Sequence, residues 1–209
     1  MKLRTIKIAA LVTFLGACAT APVEERPVVT KTDLDAVQAA MKRDFRARGI
    51  ATMARVELDA VQLACNLHRD DPPAELTKAL EEAEMKAMKF PAGSLLGDWK
   101  NGKRIAENGS GMQWNNRPGE TSGGSCYNCH QLSREQESHG TLGPSLLAFG
   151  KVRGYGPDIQ KYAYGKIYNS KAYNACSQMP RMGQSRTLTE QQIKDLVAYL
   201  MDPASPVNK

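Results

Sequence analysis

Apolar side chains recur every three or four residues in three stretches of the first half of the chain, which is the spacing of one helix face. In the first stretch, Thr32 and Asp35 have the spacing of a capping box, and Gly49 is a natural stop. Pro72 and Pro73 separate the second stretch from the third. The three predicted helices would have a thin core of their own, so we expect them to pack on the rest of the chain or on a partner. They lie within a helical extension that covers residues 32–94.

A predicted helix stands at each end of the second half. Asp98 can cap the first of them, and Thr189 with Gln192 forms a capping box for the second. Glycine-bearing stretches without a helical period are predicted to be loops, at residues 108–125 and 150–165. We therefore predict an all-α protein, with a helical domain over residues 95–203 and a tail over residues 204–209.

The stretch Cys126-Tyr127-Asn128-Cys129-His130 has the C-x-x-C-H form of a covalent attachment site for a c-type haem. Two thiols add across the two vinyl groups, and the histidine is placed under the iron as its proximal ligand. The alternative is a pair of zinc-binding cysteines beside an unrelated histidine. A zinc site needs a second ligand pair at similar spacing, which the sequence lacks. We predict one covalently bound haem c, held by Cys126 and Cys129, with His130 on the iron.

The amino terminus has the form of an export signal, in which basic residues precede an apolar run too short to span a bilayer. Two cleavage patterns compete. Leu15-Gly16-Ala17-Cys18 has the shape of a bacterial lipobox, which would leave Cys18 lipidated, whereas Ala17-Cys18-Ala19 has the form used in ordinary secretion. The lipobox is favoured. We expect a signal over residues 1–18, a tether over residues 19–31, and a periplasmic protein with Cys18 as its candidate lipid anchor.

Charge gives no basis for a nucleic-acid partner. The chain has 28 basic and 22 acidic residues, a formal charge of +6. Removing Lys2, Arg4 and Lys7 with the signal leaves +3, scattered along the sequence. A charge of this size could steer an acidic partner only weakly.

Two cysteines are left over once haem and the amino terminus have taken the other three. These two, Cys65 and Cys176, form an even remainder in an oxidising compartment, which favours a disulfide. The bridge would close a loop worth nominally about 4–5 kcal/mol in the chain-entropy model. The alternatives are two free buried thiols, or one of the two as a haem ligand.

The motifs of the second half resemble those of monohaem class I cytochromes c, and one particular set resembles SoxX, the small cytochrome subunit of SoxAX complexes. The set includes the haem motif and four further pieces, Gly97-Asp98-Trp99-Lys100, Gly143-Pro144-Ser145-Leu146, Ile167-Tyr168-Asn169 and Met179-Pro180-Arg181-Met182-Gly183. The resemblance implies a class I cytochrome c domain over residues 95–203, preceded by the helical extension.

The resemblance also implies roles for residues around the iron. The Pro144 carbonyl is expected to accept the hydrogen bond from His130 Nδ1–H, which fixes the ring and strengthens its donation to iron. Met179, held ahead of Pro180, is the expected sixth ligand, and Met182 is the competing candidate. With both axial positions filled, the site would carry electrons rather than bind small substrates.

SoxX acts with partners, so the resemblance implies a heterodimer with a SoxA-like cytochrome and transient contacts with a SoxYZ-like carrier and a soluble cytochrome. The chain would be the electron-transfer subunit of an L-cysteine S-thiosulfotransferase, with no catalytic residue of its own. Two alternatives stay open. One is a free periplasmic electron carrier without a catalytic partner, and the other is an enzyme whose haem exchanges a ligand near Met112 and Met182.

Overall fold

The computed structural model describes residues 28–209, so the predicted signal, Cys18 and most of the predicted tether lie outside the described residues. The helices of the described part are α1 (Lys31–Asp44), α2 (Ala60–Leu67), α3 (Ala74–Ala87), α4 (Trp99–Glu107), α5 (Phe149–Arg153), α6 (Pro157–Tyr168) and α7 (Glu190–Met201). Short 3₁₀ turns stand at Met53–Val56, Cys126–Asn128, Ser170–Ala172 and Pro206–Asn208. Between residues 28 and 209 the only extended pairing is an isolated bridge, Arg48 with Ala51, so the all-α prediction is confirmed.

Helices α4 and α7 cross in close contact at the centre of the carboxyl-terminal domain. Asp98 caps α4 by accepting the Lys100 amide, as its position in the sequence predicts. Its own amide donates to the buried carboxylate of Asp195 on α7, at 2.9 Å. Gly102 permits this approach, because a Cβ there would lie 2.1 Å from the Asp195 carbonyl oxygen. The crossing therefore depends on a side chain being absent from one helix and on a carboxylate being buried on the other.

The main core forms where α6 packs on α7. The Thr189–Gln192 capping box is present, and Ile193 and Val197 of α7 are fully buried. Tyr164 of α6 is 1% exposed and faces the Phe90 ring, which precedes the cytochrome-like domain. Ile193, Leu196, Val197 and Leu200 recur every three or four residues along α7, and all four belong to this core.

Residues 150–165, predicted to be a loop, contain most of α5 and α6. Gly154, with φ of +89°, ends α5, and Gly156 caps α6 ahead of Pro157 at the first helical position. Gly165 lies inside α6 at a position with no room for a side chain. A Cβ there would stand 2.1 Å from the Tyr173 hydroxyl. Gly154 and Gly156 thus separate two helices, and Gly165 leaves space for the Tyr173 side chain.

The extension differs from its prediction in two details. Its first helix is capped by Thr30, whose side chain accepts the Asp33 amide while the Asp33 carboxylate accepts the Thr30 amide. Thr32, the predicted cap, is therefore inside α1. The second predicted helix is broken into the 3₁₀ turn and α2, with Asp59 as the cap of α2.

The extension packs on the domain that follows it, as its thin core predicts. A small apolar cluster joins Val61 and Cys65 of α2 to Leu80 of α3 and to Ala175 and Cys176 of the other domain. Cys65 and Cys176 form a disulfide, with their Cα atoms 5.5 Å apart. On a second side, Arg48 stacks on the Trp114 ring and Arg55 donates to the Met112 carbonyl. The extension therefore touches the domain on the disulfide side and at the loop 108–125.

The last residues form part of the core, although the sequence assigned residues 204–209 to a tail. Val207 and Asn208 are fully buried. The side-chain nitrogen Nδ2 of Asn208 donates to the carbonyls of Leu200 and Asp202, and its side-chain oxygen accepts from the Gly150 backbone amide. Asn208 thus joins the end of α7 to the start of α5.

Candidate functional site

The haem motif folds into one tight turn. Cys126–Asn128 is a 3₁₀ turn, and the Cys129 and His130 amides both donate to the Cys126 carbonyl, at 3.1 and 2.9 Å. Residues three apart in a 3₁₀ turn stand on the same side. The backbone therefore brings the two thiols to one side, as attachment to two vinyl groups requires.

His130 is oriented by the segment that contains Pro144. Its Nδ1 lies 2.7 Å from the Pro144 carbonyl oxygen. Because a carbonyl can only accept, Nδ1 carries the proton, and the lone pair of Nε2 is left for a metal. A Cβ at Gly143 would stand 2.2 Å from the imidazole Cε1, so this position has no room for a side chain beside the ring. The Gly143 amide donates to the Cys129 carbonyl, which connects the two segments.

The motif cysteines are the two free thiols of the described chain, since Cys65 and Cys176 are bonded to each other. Burial raises the pKa of the Cys126 thiol to about 12, with a smaller contribution from the nearby Cys129. The two thiols on one side of the turn, the proton on Nδ1 and the space kept by Gly143 all fit a covalently attached haem, which Cys126 and Cys129 would hold and His130 would ligate.

Met179 and Met182 are both half-buried and pack against the main core. A hydrogen bond to the backbone of each methionine connects it to the region around the end of α6. Ser170 Oγ donates to the Met179 carbonyl, and the Met182 amide donates to the Ile167 carbonyl at 3.2 Å. Both methionines therefore lie in a loop attached to the end of α6, and Met179 remains our candidate for the sixth ligand on the grounds of the sequence.

Arg181, between the two methionines, is held by carboxylates of the extension. It bonds Asp59, and its Nη1 lies 3.9 Å from Glu84. Burial acts to raise the pKa of Asp59, but the Gln62 amide and Arg181 outweigh it and hold that pKa below the usual value. The ion pair thus favours a charged carboxylate against the loop. Sequence reasoning missed these partners, because the Asp59–Arg181 contact spans 122 residues and no local pattern marks it.

The other two histidines and Trp114 are exposed. His68 ends α2 and is exposed, and His139 is exposed with Nδ1 near the Gly140 carbonyl. Trp114 is 45% exposed under Arg48. Within residues 28–209, no helix has the length and apolar character needed to cross a bilayer.

Comparison with known proteins agrees with this geometry. The cytochrome c family matches residues 99–202, which hold α4 to α7, the haem motif and both methionines. The chain is also similar to an uncharacterized lipoprotein of Aquifex aeolicus (strain VF5), with 36% identity over 154 residues, covering 72% of this chain and 73% of that protein.

Proposed function

This chain belongs to the cytochrome c family and carries one covalently bound haem c, and we propose that it is the electron-accepting subunit of a SoxAX-like complex. The observation that carries the proposal is the meeting of two motifs. Ile167-Tyr168-Asn169 and Met179-Pro180-Arg181-Met182-Gly183 carry the resemblance to SoxX. The Met182 and Gly183 amides donate to the carbonyls of Ile167 and Tyr168, at 3.2 and 3.1 Å, so the two motifs form a single unit.

The residues of the chain have separate tasks in electron transfer. When bound, haem c supplies an iron that alternates between the ferric and ferrous states. Cys126 and Cys129 would hold the group, and the Pro144 carbonyl orients His130, which would ligate the iron. Met179 would supply a soft thioether ligand, which favours the ferrous state and raises the reduction potential. With both protein ligands bound, the site would transfer electrons and leave substrate chemistry to a partner.

The partner reaction joins thiosulfate to a cysteine of a SoxYZ-like carrier. One S–S bond forms between the cysteine sulfur and the terminal sulfur of thiosulfate, and one proton and two electrons are released. The SoxA-like subunit binds the reacting sulfur. This chain accepts the electrons singly, because it has one haem, and passes them to a soluble cytochrome.

We place the protein in the periplasm, with Cys18 as a lipid anchor. The support is the export-like amino terminus, the lipobox at Leu15-Gly16-Ala17-Cys18 and the description of the Aquifex relative as a lipoprotein. Metabolic labelling with a fatty acid tests the anchor. Label in the native chain and none in Cys18→Ala is the expected result, whereas an unlabelled native chain would leave secretion as the route.

Purification of the chain from its own cells during growth on thiosulfate tests the complex. We expect a SoxA-like cytochrome to copurify, and the haem of this chain to be reduced when thiosulfate and the carrier are added together. The matched control omits the carrier. A chain that purifies alone and stays oxidised would contradict the proposal.

A free electron carrier is the second candidate, and one observation favours it. The extension packs on its own cytochrome domain through the Cys65–Cys176 disulfide and the small apolar cluster around it. It therefore has a structural role without a second subunit. An isolated holoprotein that exchanges electrons rapidly with a soluble cytochrome, from cells that contain no copurifying partner, would establish this alternative.

A further inference from the structure

The contacts of the extension concentrate on the segment that holds the two methionines. Four acidic side chains and one cysteine of the extension touch residues 169–184. The touched residues are Asn169 at the end of α6, four residues of the methionine loop, which we define as residues 170–183, and Gln184 directly after that loop. The contacting groups of the extension are Asp59, Cys65, Asp70, Glu81 and Glu84.

Glu84 of α3 joins both ends of this segment. Its Oε2 accepts from Asn169 Nδ2 at 2.6 Å and from Gln184 Nε2 at 3.2 Å. Asn169 ends α6, and Gln184 follows the methionine loop. Arg181 lies between them, 3.9 Å from the same oxygen. The Glu84 side chain is 15% exposed and Asn169 is buried, so removing the Glu84 carboxylate leaves a partly buried donor without its acceptor.

The residues just before Met179 are held by the disulfide and its neighbours. Cys176 is bonded to Cys65, the buried Ala175 donates its amide to Glu81 at 3.0 Å, and Gln178 donates to Asp70 at 3.1 Å. Met179 thus lies between a covalent attachment three residues earlier and the Asp59–Arg181 ion pair two residues later. The extension holds the loop on both sides of the methionine.

We propose that the extension is a clamp that positions the methionine ligand, with Glu84 as the positioning residue that closes it. The proposal rests on the proposed function in taking a methionine of this loop as the sixth ligand. Replacement of the methionine by an external ligand displaces the loop that carries it, and these contacts oppose that displacement. The clamp therefore sets how fast an external ligand replaces the methionine in the ferric protein.

Imidazole binding to the ferric holoprotein tests the clamp. At saturating imidazole the binding rate reports loop opening, and we expect Glu84→Ala to raise it about tenfold, from the loss of a partly buried acceptor that bonds both Asn169 and Gln184. Glu84→Gln, which keeps an accepting oxygen but removes the charge, should give an intermediate rate. Glu82→Ala is the matched control, since Glu82 is exposed on the same helix, and its rate should equal that of the native protein.

Two further measurements keep the test decisive if Glu84→Ala folds poorly. The double variant Cys65→Ser, Cys176→Ser removes the covalent attachment three residues before Met179 and should also speed imidazole binding. Amide hydrogen exchange at Met182 and Gly183, whose amides bond α6, should quicken in each clamp variant and not in Glu82→Ala. Native rates of imidazole binding and exchange in both the Glu84 variants and the cysteine variant would overturn the clamp.

The axial ligand is tested separately. Met179→Ala should abolish the sulfur-to-iron absorption band of the ferric protein, and Met182→Ala should leave it. Loss of the band in Met182→Ala alone would correct the ligand, and the clamp would then be judged on Met182, which is in the same loop. A native protein without the band would overturn both the ligand and the clamp. A native band with unchanged imidazole rates in the clamp variants would overturn the clamp alone.

Discussion

The imidazole of His130 is confined by a residue that has no side chain. Gly143 stands beside the ring, and a Cβ there would lie 2.2 Å from Cε1. Either the ring or the backbone that holds Pro144 must then move. Either movement weakens the 2.7 Å hydrogen bond between Nδ1 and the Pro144 oxygen. We predict that Gly143→Ala lowers the free energy of unfolding of the holoprotein by about 1–3 kcal/mol.

Denaturant titration followed by haem absorbance measures this change. Gly156→Ala is the control, because a Cβ at Gly156 meets nothing within 4 Å and should cost less than about 1 kcal/mol, as a weakened helix cap. Equal losses in the two variants would show that the space beside His130 is not restricted.

Single residues also show what local sequence can and cannot reveal. Cys126, Cys129 and His130 were predictable because they are contiguous and their spacing follows from haem chemistry. Glu84 and Asp59 were not, because their partners lie 85 and 122 residues away. The sequence around Asp59 marks it as a helix cap, since Gln62 follows three residues later, but does not mark it as the partner of Arg181. A single sequence records the residues of a long-range ion pair but not their pairing.

At the scale of elements, the α4–α7 crossing is the most extensive contact between helices in the described part of the chain. A Cβ at Gly102 would lie 2.1 Å from the Asp195 carbonyl oxygen. We predict that Gly102→Ala destabilises the protein by about 1–3 kcal/mol, despite the roughly 1 kcal/mol that alanine gains in helix propensity. Lys100→Ala, at an exposed position of α4, serves as the control. Thermal unfolding measures both, and a stabilised Gly102→Ala would contradict the close approach.

Two capping boxes allow a comparison between helices of unequal importance. Thr189 caps α7, which is buried over most of its length, and Thr30 caps α1, where only Leu34 is buried. We predict that Thr189→Ala costs about 1 kcal/mol of global stability. Thr30→Ala should only quicken hydrogen exchange in the first turn of α1. Equal global effects in denaturant titrations would mean that α1 unfolds together with the core.

The start of a helix could be predicted where the sequence offered one capping pattern. The prediction was wrong where two capping patterns overlapped. Thr30-Lys31-Thr32-Asp33-Leu34-Asp35 contains two overlapping capping boxes, and the chain uses the earlier one. The sequence alone cannot decide between them, because each offers the same bonds. In residues 150–165, the glycines suggested a loop. Gly165 is nevertheless helical, and it is a glycine because Tyr173, eight residues later in the sequence, packs against it.

At the scale of the whole molecule, the disulfide joins two parts that have few apolar contacts with each other. The cluster around it contains three buried residues, whereas the main core contains fourteen. We predict that the double variant Cys65→Ser, Cys176→Ser unfolds in two steps. The helical signal of α1–α3 should be lost before the haem absorbance changes, because the nominal 4–5 kcal/mol of about 110 residues of loop closure no longer supports the extension.

Circular dichroism and haem absorbance, recorded in one guanidinium titration, separate the two steps. The native protein, which keeps the bridge, is the control and should show coincident transitions. Coincident transitions in the variant would mean that the acidic contacts and the small cluster hold the extension without the bridge.

The path of the chain between Cys65 and Cys176 has a consequence for biogenesis. The two positions are 111 residues apart, and the haem-binding thiols Cys126 and Cys129 lie between them. A chain that emerges amino end first therefore presents Cys65 to Cys126 and Cys129 before its native partner is available. An oxidant that paired thiols in order of emergence would consume the sulfurs that must later form thioethers. Correct maturation of this protein thus requires haem addition to precede oxidation, or an isomerase to undo the early pairs.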